Sequence, residues 1–468
     1  PTHPHRTPRQ RLPALHIAFT LTAASCGAAD AHDSGSETSG TADTEETADT
    51  EEMADTEEMA DTEDTGDAAA AGANTIDDSL TVYQAAALEP PSGEEAAPSC
   101  TGESDGVLKL GGLLPETGNL AFLGPPEFAG AELAVSEINA AGGVLGADVE
   151  WSPGDSSDNG DVANATVDRH LEDGVDAILG AASSGVSFTV IDKITGACVI
   201  HFSPANTSPD FTEYDEDDLY FRTAPSDILQ GQVLSDLIVQ EGSTTAGLMA
   251  LQDPYGEGLL KFTEEPLAEA GVEIVESFTY DPKAQNFDAE VDKMVSASPE
   301  AIVLIGFDES AQILSGFFEA GIDPAETKIY LVDGNVGNAL GEKFSEPGIL
   351  TGIKGTIPTA ELTEEFKAAL LETDPDLIDF TYGPETYDAV VITALAAVLA
   401  DSDDPAQIAA KINGVTGGGE KCTSFEECVA LIDGGTTDID YDGPSGPQNF
   451  SAAGEPTEAT FAILSYGS

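Results

Sequence analysis

The chain has 468 residues and a hydrophobic share of 41%, enough apolar material for more than one packed unit. Against 16 lysines and arginines stand 87 aspartates and glutamates, a formal net charge of -71. That balance excludes polyanionic partners such as nucleic acid and points to small neutral or cationic ones.

The acidity runs the whole length. Residues 27–105 hold 23 acids and no lysine or arginine, and residues 106–468 hold 64 acids and 13 bases. Self-repulsion on that scale destabilises a compact state unless salt screens it, so the chain is expected to unfold more easily in low salt than in high salt.

Arg6, Arg9 and Arg11 precede a mostly apolar stretch from Leu12 to Ala24. This stretch is too short to span a bilayer and has the form of a secretory signal core, so residues 1–25 are expected to be a signal peptide. The stretch ends in Ala23-Ala24-Ser25-Cys26-Gly27. Small residues directly before a cysteine resemble the bacterial lipobox, which implies lipidation of Cys26; Ala23 stands where leucine is usual. Residues 42–65 then repeat ADTEET, ADTEEM, ADTEEM, ADTEDT with a period of six and no apolar face. Such a segment stays solvated and extended by its own charge, so 26–105 is read as an acidic, disordered tether.

With Cys26 assigned to lipid, four cysteines remain, an even number that suits an oxidising compartment. Cys422 and Cys428 close a short loop and are expected to pair. Cys100 precedes the first strand and Cys198 opens a later parallel one, which places both at one sheet edge as a second expected pair.

From Val107 the chain alternates β-rich runs with helical patterns, the mark of parallel sheets covered on both faces. The expected strands are 107–114, 176–180, 198–203, 246–252, 301–306 and 329–332. Between the first two, Phe128, Ala131, Val135 and Ile138 recur at helical spacing until Gly142-Gly143 stops the helix. In such α/β sheets ligands sit beyond the carboxyl ends of the strands, so the residues just after each strand are the candidates. Ala181-Ala182-Ser183-Ser184-Gly185 opens a helix whose free N–H groups favour an anion, and Ser203-Pro204-Ala205-Asn206-Thr207 adds a hydroxyl and backbone donors at the same mouth. Asp253-Pro254-Tyr255-Gly256 offers an aromatic wall, and Val332-Asp333-Gly334-Asn335 a carboxylate that could face an ammonium group. Taken singly, these loops also read as helix caps and solvated turn acids.

Several words in order resemble the branched-chain amino acid binding proteins of the type I periplasmic-binding fold. They are Phe128-Ala129-Gly130-Ala131-Glu132-Leu133-Ala134, Glu137-Ile138-Asn139-Ala140-Ala141-Gly142-Gly143-Val144, Ser203-Pro204-Ala205, Phe221-Arg222-Thr223-Ala224, Tyr255-Gly256-Glu257-Gly258 and Tyr387-Asp388-Ala389. The resemblance covers 107–466. It implies two doubly wound α/β lobes joined by three crossing segments and closing on a solute, without cofactor, metal or catalysis. The crossings are expected near 224–226, 354–356 and 442–447. Lobe 1 would then hold 106–224 and 357–442, and lobe 2 would hold 225–356 and 443–468.

Carried over by position, Ser184 and Thr207 would hold an amino acid α-carboxylate, beside Ser183 and the backbone of Ala205. Asp333 would neutralise the α-ammonium and Tyr255 would pack over the ligand. Leu123 and Phe307 stand where relatives carry tyrosine, which makes the pocket more apolar and tilts the ligand toward an aliphatic side chain. Amides, urea and other small organic solutes stay open as alternatives. The implied partner is an ABC importer permease, reached by a monomeric receptor that touches the membrane only through its lipid, on the outer face of the cell. A ligand sensor signalling to a different partner is the nonenzymatic rival.

Enzyme readings fare worse. Ala181-x-Ser183-x-Gly185 imitates a hydrolase nucleophile turn, but His170 and His201 precede or closely follow it in the wrong order for a triad. No G-x-G-x-x-G follows the first strand, and Asp438-x-Asp440-x-Asp442-Gly443 copies only the first half of a calcium loop.

Overall fold

Short runs of β-branched and leucine residues, separated by helices, build two mainly parallel sheets. The computed structural model describes residues 74–77, 81–84, 98–214 and 216–467. Cys26, the signal-like stretch and the six-residue repeats lie outside the described residues.

The first sheet belongs to lobe 1. It holds β2 (Lys109–Leu113), β3 (Glu150–Ser152), β4 (Ala177–Gly180), β5 (Ile200–Ser203) and β6 (Tyr220–Arg222), ordered β3-β2-β4-β5-β6 and parallel throughout. Around it pack α1 (Gly124–Ala140), α2 (Gly160–Asp173), α3 (Ser184–Gly196), α9 (Glu364–Thr373), α10 (Gly383–Ala400), α11 (Pro405–Val415) and α12 (Phe425–Asp433), with a small parallel pair, β12 (Glu420–Cys422) and β13 (Ile439–Tyr441). The sheet alternates faces residue by residue. Ala177 and Leu179 join Val135, Ile138 and Leu395 on one side, while Ile178 joins Val167, Val190 and Ile194 on the other.

Helix α10 is long and apolar enough to cross a membrane, but it is buried in this lobe. That burial on every side explains why it lacks a polar stripe. Its neighbour α1 approaches so closely that a Cβ at Gly130 would sit 2.2 Å from the Gly383 carbonyl oxygen.

The second sheet belongs to lobe 2 and contains β1 (Thr81–Gln84), β7 (Thr245–Leu251), β8 (Glu273–Tyr280), β9 (Ala301–Ile305), β10 (Lys328–Leu331), β11 (Lys354–Pro358) and β14 (Thr460–Ser465). Its order is β1-β14-β11-β10-β9-β7-β8, with β14 antiparallel to both neighbours. Helices α4 (Asp227–Gln240), α5 (Pro254–Glu269), α6 (Asp288–Ala297), α7 (Ser310–Glu319) and the short α8 (Asn338–Gly341) cover it.

Each of the six strands expected from the sequence overlaps a strand here. The others, β1, β3, β6, β8 and β11 to β14, are edge or antiparallel strands and short pieces without a strong apolar run.

Three departures concern organisation. The chain leaves lobe 1 after Arg222 and enters α4 at Asp227, but the second crossing expected at 354–356 lies inside β11, so the passage follows Pro358. The segment 443–459 stays with lobe 1, contrary to its expected place in lobe 2. Ser445 N–H donates to Asp388 at 2.9 Å, Asn449 N–H to Thr416 O at 3.1 Å, and Arg222 N–H to Gly454 O at 2.9 Å. The physical cause is Arg222, fully buried, whose guanidinium is engaged by Glu455 through Nε at 3.0 Å and through Nη2. The third passage therefore lies just before β14.

Finally, part of the expected tether is structured. Strand β1 extends the lobe 2 sheet along β14, and the Asn74 side chain donates to Phe344 O and Glu346 O at 3.2 and 3.0 Å. Farther on, Cys100 is bonded to Cys198, and the N–H groups of Asp105 and Gly106 donate to Asp403 of lobe 1 at 2.8 and 2.6 Å. Cys422 and Cys428 form the second disulfide. The approach to the first lobe is thus fastened to both lobes.

Candidate functional site

The expected site residues all sit where the lobes meet. Ser183 caps α3, its Oγ accepting the Val186 N–H at 3.3 Å, so this hydroxyl serves the helix first. The same hydroxyl pulls down the Asp158 carboxyl of its own lobe by hydrogen bonding. Ser184 is the first residue of α3, and its Oγ accepts the Ser208 N–H at 3.3 Å. On the next loop the N–H of Ala205 donates to Ser203 Oγ at 3.3 Å, and the buried Thr207 hydroxyl lies by the Asp227 carboxyl, which it pulls down against a larger upward push from burial. Opposite, Asp253 caps α5 by accepting the Gly256 N–H at 2.8 Å. The two helix N-termini face each other across the cleft: a Cβ at Gly185 would lie 3.2 Å from Asp253 Oδ2.

Asp333 follows β10 and is 4% exposed. Its Oδ1 accepts from Tyr255 OH at 2.8 Å and Gln230 Nε2 at 2.9 Å, and its Oδ2 from Tyr382 OH at 2.7 Å. Burial pushes this carboxyl up from its ordinary range, and the three donors oppose the shift. Burial and the neighbouring Asp333 charge push the Tyr255 and Tyr382 phenols well above 10, so both remain donors. Tyr382 precedes α10 of lobe 1, whereas Tyr255 and Gln230 belong to lobe 2, so this carboxylate is held from both sides of the cleft. The sequence reading named Asp333 and Tyr255 but missed Gln230 and Tyr382, which sit in no recognised motif.

Tyr255, Phe307 and Leu123 come together in an apolar wall. The Tyr255 and Phe307 rings stack at 5.5 Å and 11°, in one cluster with Leu120, Leu123, Ala182 and Ala205. Beside Phe307 a cavity of about 20 Å³ is lined by Phe122, Val336, Ala339 and Leu340. It has room for about one water, so an aliphatic group enters only as the lobes part. Further contacts hold them together: Ser208 Oγ donates to Pro254 O at 3.1 Å, and the N–H groups of Asn338 and Ala339 donate to Asp379 at 3.1 Å each.

Outside this centre, three acids meet across the cleft. Asp158 of lobe 1 and Asp253 and Glu309 of lobe 2 are each raised by burial, Asp253 to about 7; the Asp158 charge adds to the shift of the other two, while the Ser183 hydroxyl and Lys283 oppose that of Asp158. Of the half calcium loop, Asp440 and Asp442 are bound by Lys421 at 3.0 and 2.7 Å.

Two α/β lobes with site residues on facing loops describe a solute-binding architecture, and a family model described as periplasmic binding protein matches residues 107–462. The chain belongs to this family. Among curated relatives, it is similar to the "Chemotactic signal transduction system substrate-binding protein BasB" of Halobacterium salinarum, 26% identical over 366 residues, covering 75% of this chain and 84% of that one. It is likewise similar to the "Leucine-, isoleucine-, valine-, threonine-, and alanine-binding protein" of Pseudomonas aeruginosa, 26% identical over 315 residues, 65% and 81% of the two chains. Among solved structures, LivJ of Streptococcus pneumoniae in complex with isoleucine superposes with a TM-score of 0.64 at 24% identity, covering 76% of this chain and 95% of that one. The leucine binding protein LivK of Thermotoga maritima gives 0.63 at 20%, covering 77% and 98%. These structural likenesses establish the type I periplasmic-binding fold. A periplasmic binding protein works outside the cytoplasm, and its two disulfides fit that compartment.

Proposed function

We propose that this binding protein captures an amino acid with an aliphatic side chain between its lobes and presents it to an ABC importer. The observation that carries this reading is Asp333, a buried carboxylate held by donors from both sides of the cleft. Ser184, Thr207 and the backbone around Ala205 would take the α-carboxylate, Asp333 the α-ammonium, and Leu123, Phe122, Phe307 and Leu340 the side chain. The names of the Pseudomonas aeruginosa relative and of LivJ with its isoleucine support the ligand class.

Because each lobe supplies half the contacts, ligand stabilises the closed form by its differential affinity for it. Lipid on Cys26 would hold the receptor near its permease and raise its effective concentration there. A second reading rests on the Halobacterium salinarum relative, whose name places it in chemotactic signalling: closure would then be read by a transducer.

A thermal-shift screen in molar KCl tests the ligand. Leucine, isoleucine or valine at a hundred times its dissociation constant should add about 2.7 kcal/mol. Stabilisation by amides or urea but by no amino acid would overturn the reading. Unchanged affinity in both Ser184→Ala and Asp333→Ala would place the pocket elsewhere. Uptake and taxis assays in a deletion strain separate importer from sensor.

A further inference from the structure

Ahead of lobe 1 the chain lays an arm along lobe 2. Strand β1 pairs antiparallel with β14, Asp77 N–H donates to Ser465 O at 2.8 Å, and Gly467 N–H donates to Thr75 O at 3.1 Å. The Asn74 carboxamide is used at both ends: its Nδ2 donates to Phe344 O and Glu346 O, and its Oδ1 accepts the Leu350 N–H at 3.3 Å. The arm backbone presses so closely on α8 that a Cβ at Gly341 would collide with Asn74 O. The same chain is next bonded to lobe 1 through Cys100–Cys198, so it crosses between the lobes once more, ahead of the three passages described above.

The arm and the cleft contact meet at one side chain. Ile76 N–H donates to Asn338 Oδ1 at 3.0 Å. The other end of that carboxamide, Nδ2, donates to Asp379 Oδ1 at 2.9 Å and to Ile378 O at 3.1 Å, both in lobe 1. Asp379 also accepts the N–H groups of Asn338 and Ala339, and its neighbours Leu377 and Phe380 pack with Ala129 and Leu370 of lobe 1. Gly337, which precedes α8, offers no side-chain cap, so the capping oxygens come from Asp379 across the cleft and are lost when the lobes part. A carboxamide engaged at both ends has one orientation, and turning it away from either partner loses the other. The same short helix reaches the apolar pocket, where Ala339 and Leu340 line the cavity beside Phe307.

We infer that the N-terminal arm is a brace coupled to lobe closure: docked on α8, it holds Asn338 in the orientation that meets Asp379, so arm docking favours the closed receptor and closure fastens the arm. Such a coupling is reciprocal, and each event strengthens the other by the same factor. It needs only that the lobes close on a solute and does not depend on which solute that is. Asp379 and Asn338 act here as positioning residues, through α8, on the wall of the pocket.

Hydrogen exchange of the full chain in molar KCl reads the arm at Asp77 and at residues 81–84. Asp379→Ala, which removes no hydrogen bond of the arm itself, should speed exchange there about fivefold or more without ligand. Gly341→Ala, whose Cβ would meet Asn74, dislodges the arm from the lobe 2 side and should enlarge the radius of gyration in X-ray scattering. The double variant should be no more open than either single one, whereas two independent losses would add. Unchanged arm exchange in Asp379→Ala, or an unchanged radius in Gly341→Ala with its arm released, would overturn the coupling; the two variants read it from opposite ends, so either alone decides if the other fails to fold. L-leucine should slow arm exchange in the unaltered chain. Leucine that binds in calorimetry without slowing it would overturn the coupling, and leucine that does not bind would overturn the amino acid reading while the ligand-free comparisons still decide the coupling.

Discussion

Glu385 offers a sharp test of how this acidic chain tolerates its own carboxylates. It lies in the first turn of α10, is 3% exposed, and has one oxygen, Oε2, with no partner. Burial, with a smaller contribution from Asp388, raises its carboxyl to about 8. Across the close α1 and α10 contact sits Glu127, also buried, both oxygens unpartnered, and pushed well up by burial and by Glu385. In the unfolded chain a glutamate ionises near 4.5, so between that value and about 8 the native state holds a proton that the unfolded state has lost. This contribution favours the native state least at high pH: it is fully kept below about 4.5 and lost progressively as pH rises to about 8.

At pH 7 the penalty is roughly 3 kcal/mol, from about 2.5 pH units at 1.36 kcal/mol each, and below pH 5 it is under about 1 kcal/mol. Glu385→Gln removes the ionisation and leaves a neutral group of the same size. Chemical denaturation in molar KCl at pH 5, 6, 7 and 8 should show the variant gaining on the unaltered chain as pH rises. A buried amide hydrogen left without an acceptor would shift the whole comparison by a pH-independent amount of about 1 kcal/mol or more. A stability difference that stays constant across the series would refute the reasoning, because it would mean that Glu385 does not titrate in this range.

Loss of Cys100–Cys198, which spans 98 residues of sequence, should cost about 3 to 5 kcal/mol, and Cys422–Cys428, spanning 6, less; denaturation of Cys198→Ser and Cys428→Ser gives the comparison. Glu455→Ala leaves Arg222 buried without its counter-charge, a loss of about 3 to 5 kcal/mol that a melting curve would register. Closure brings Asp158 toward Asp253 and Glu309, so lowering the ionic strength above pH 7 should enlarge the radius of gyration in X-ray scattering. An unchanged radius would show that these acids stay neutral or screened by Lys283.

The sequence revealed most where physical demands are strongest and most local. Apolar runs such as Ala246–Leu251 and Ala301–Ile305 are buried on both faces, so their composition alone marks them as strands of a covered parallel sheet. The family resemblance implied a crossing at 442–447, and nothing local announces that Glu455, farther on, is needed by Arg222. Strand β1 was invisible for a similar reason. Its four residues form a strand only because the edge of β14 is there to receive them, and the acidic, alanine-rich surroundings promise no core.

The site divides along the same line. Ser184, Thr207, Tyr255 and Asp333 follow strands or open helices, where backbone geometry fixes position and a short motif can signal it. Gln230 and Tyr382 reach Asp333 from 103 and 49 residues away in sequence, so no spacing rule connects them to the pocket. One local signal did exist: Gln230 stands in a helix whose buried residues also include Leu229, Val233, Leu234, Leu237 and Ile238. A polar side chain in such a row has to find a partner inside the protein. Gln230 finds its partners across the lobe, where its Nε2 donates to Asp333 and to the Thr356 carbonyl.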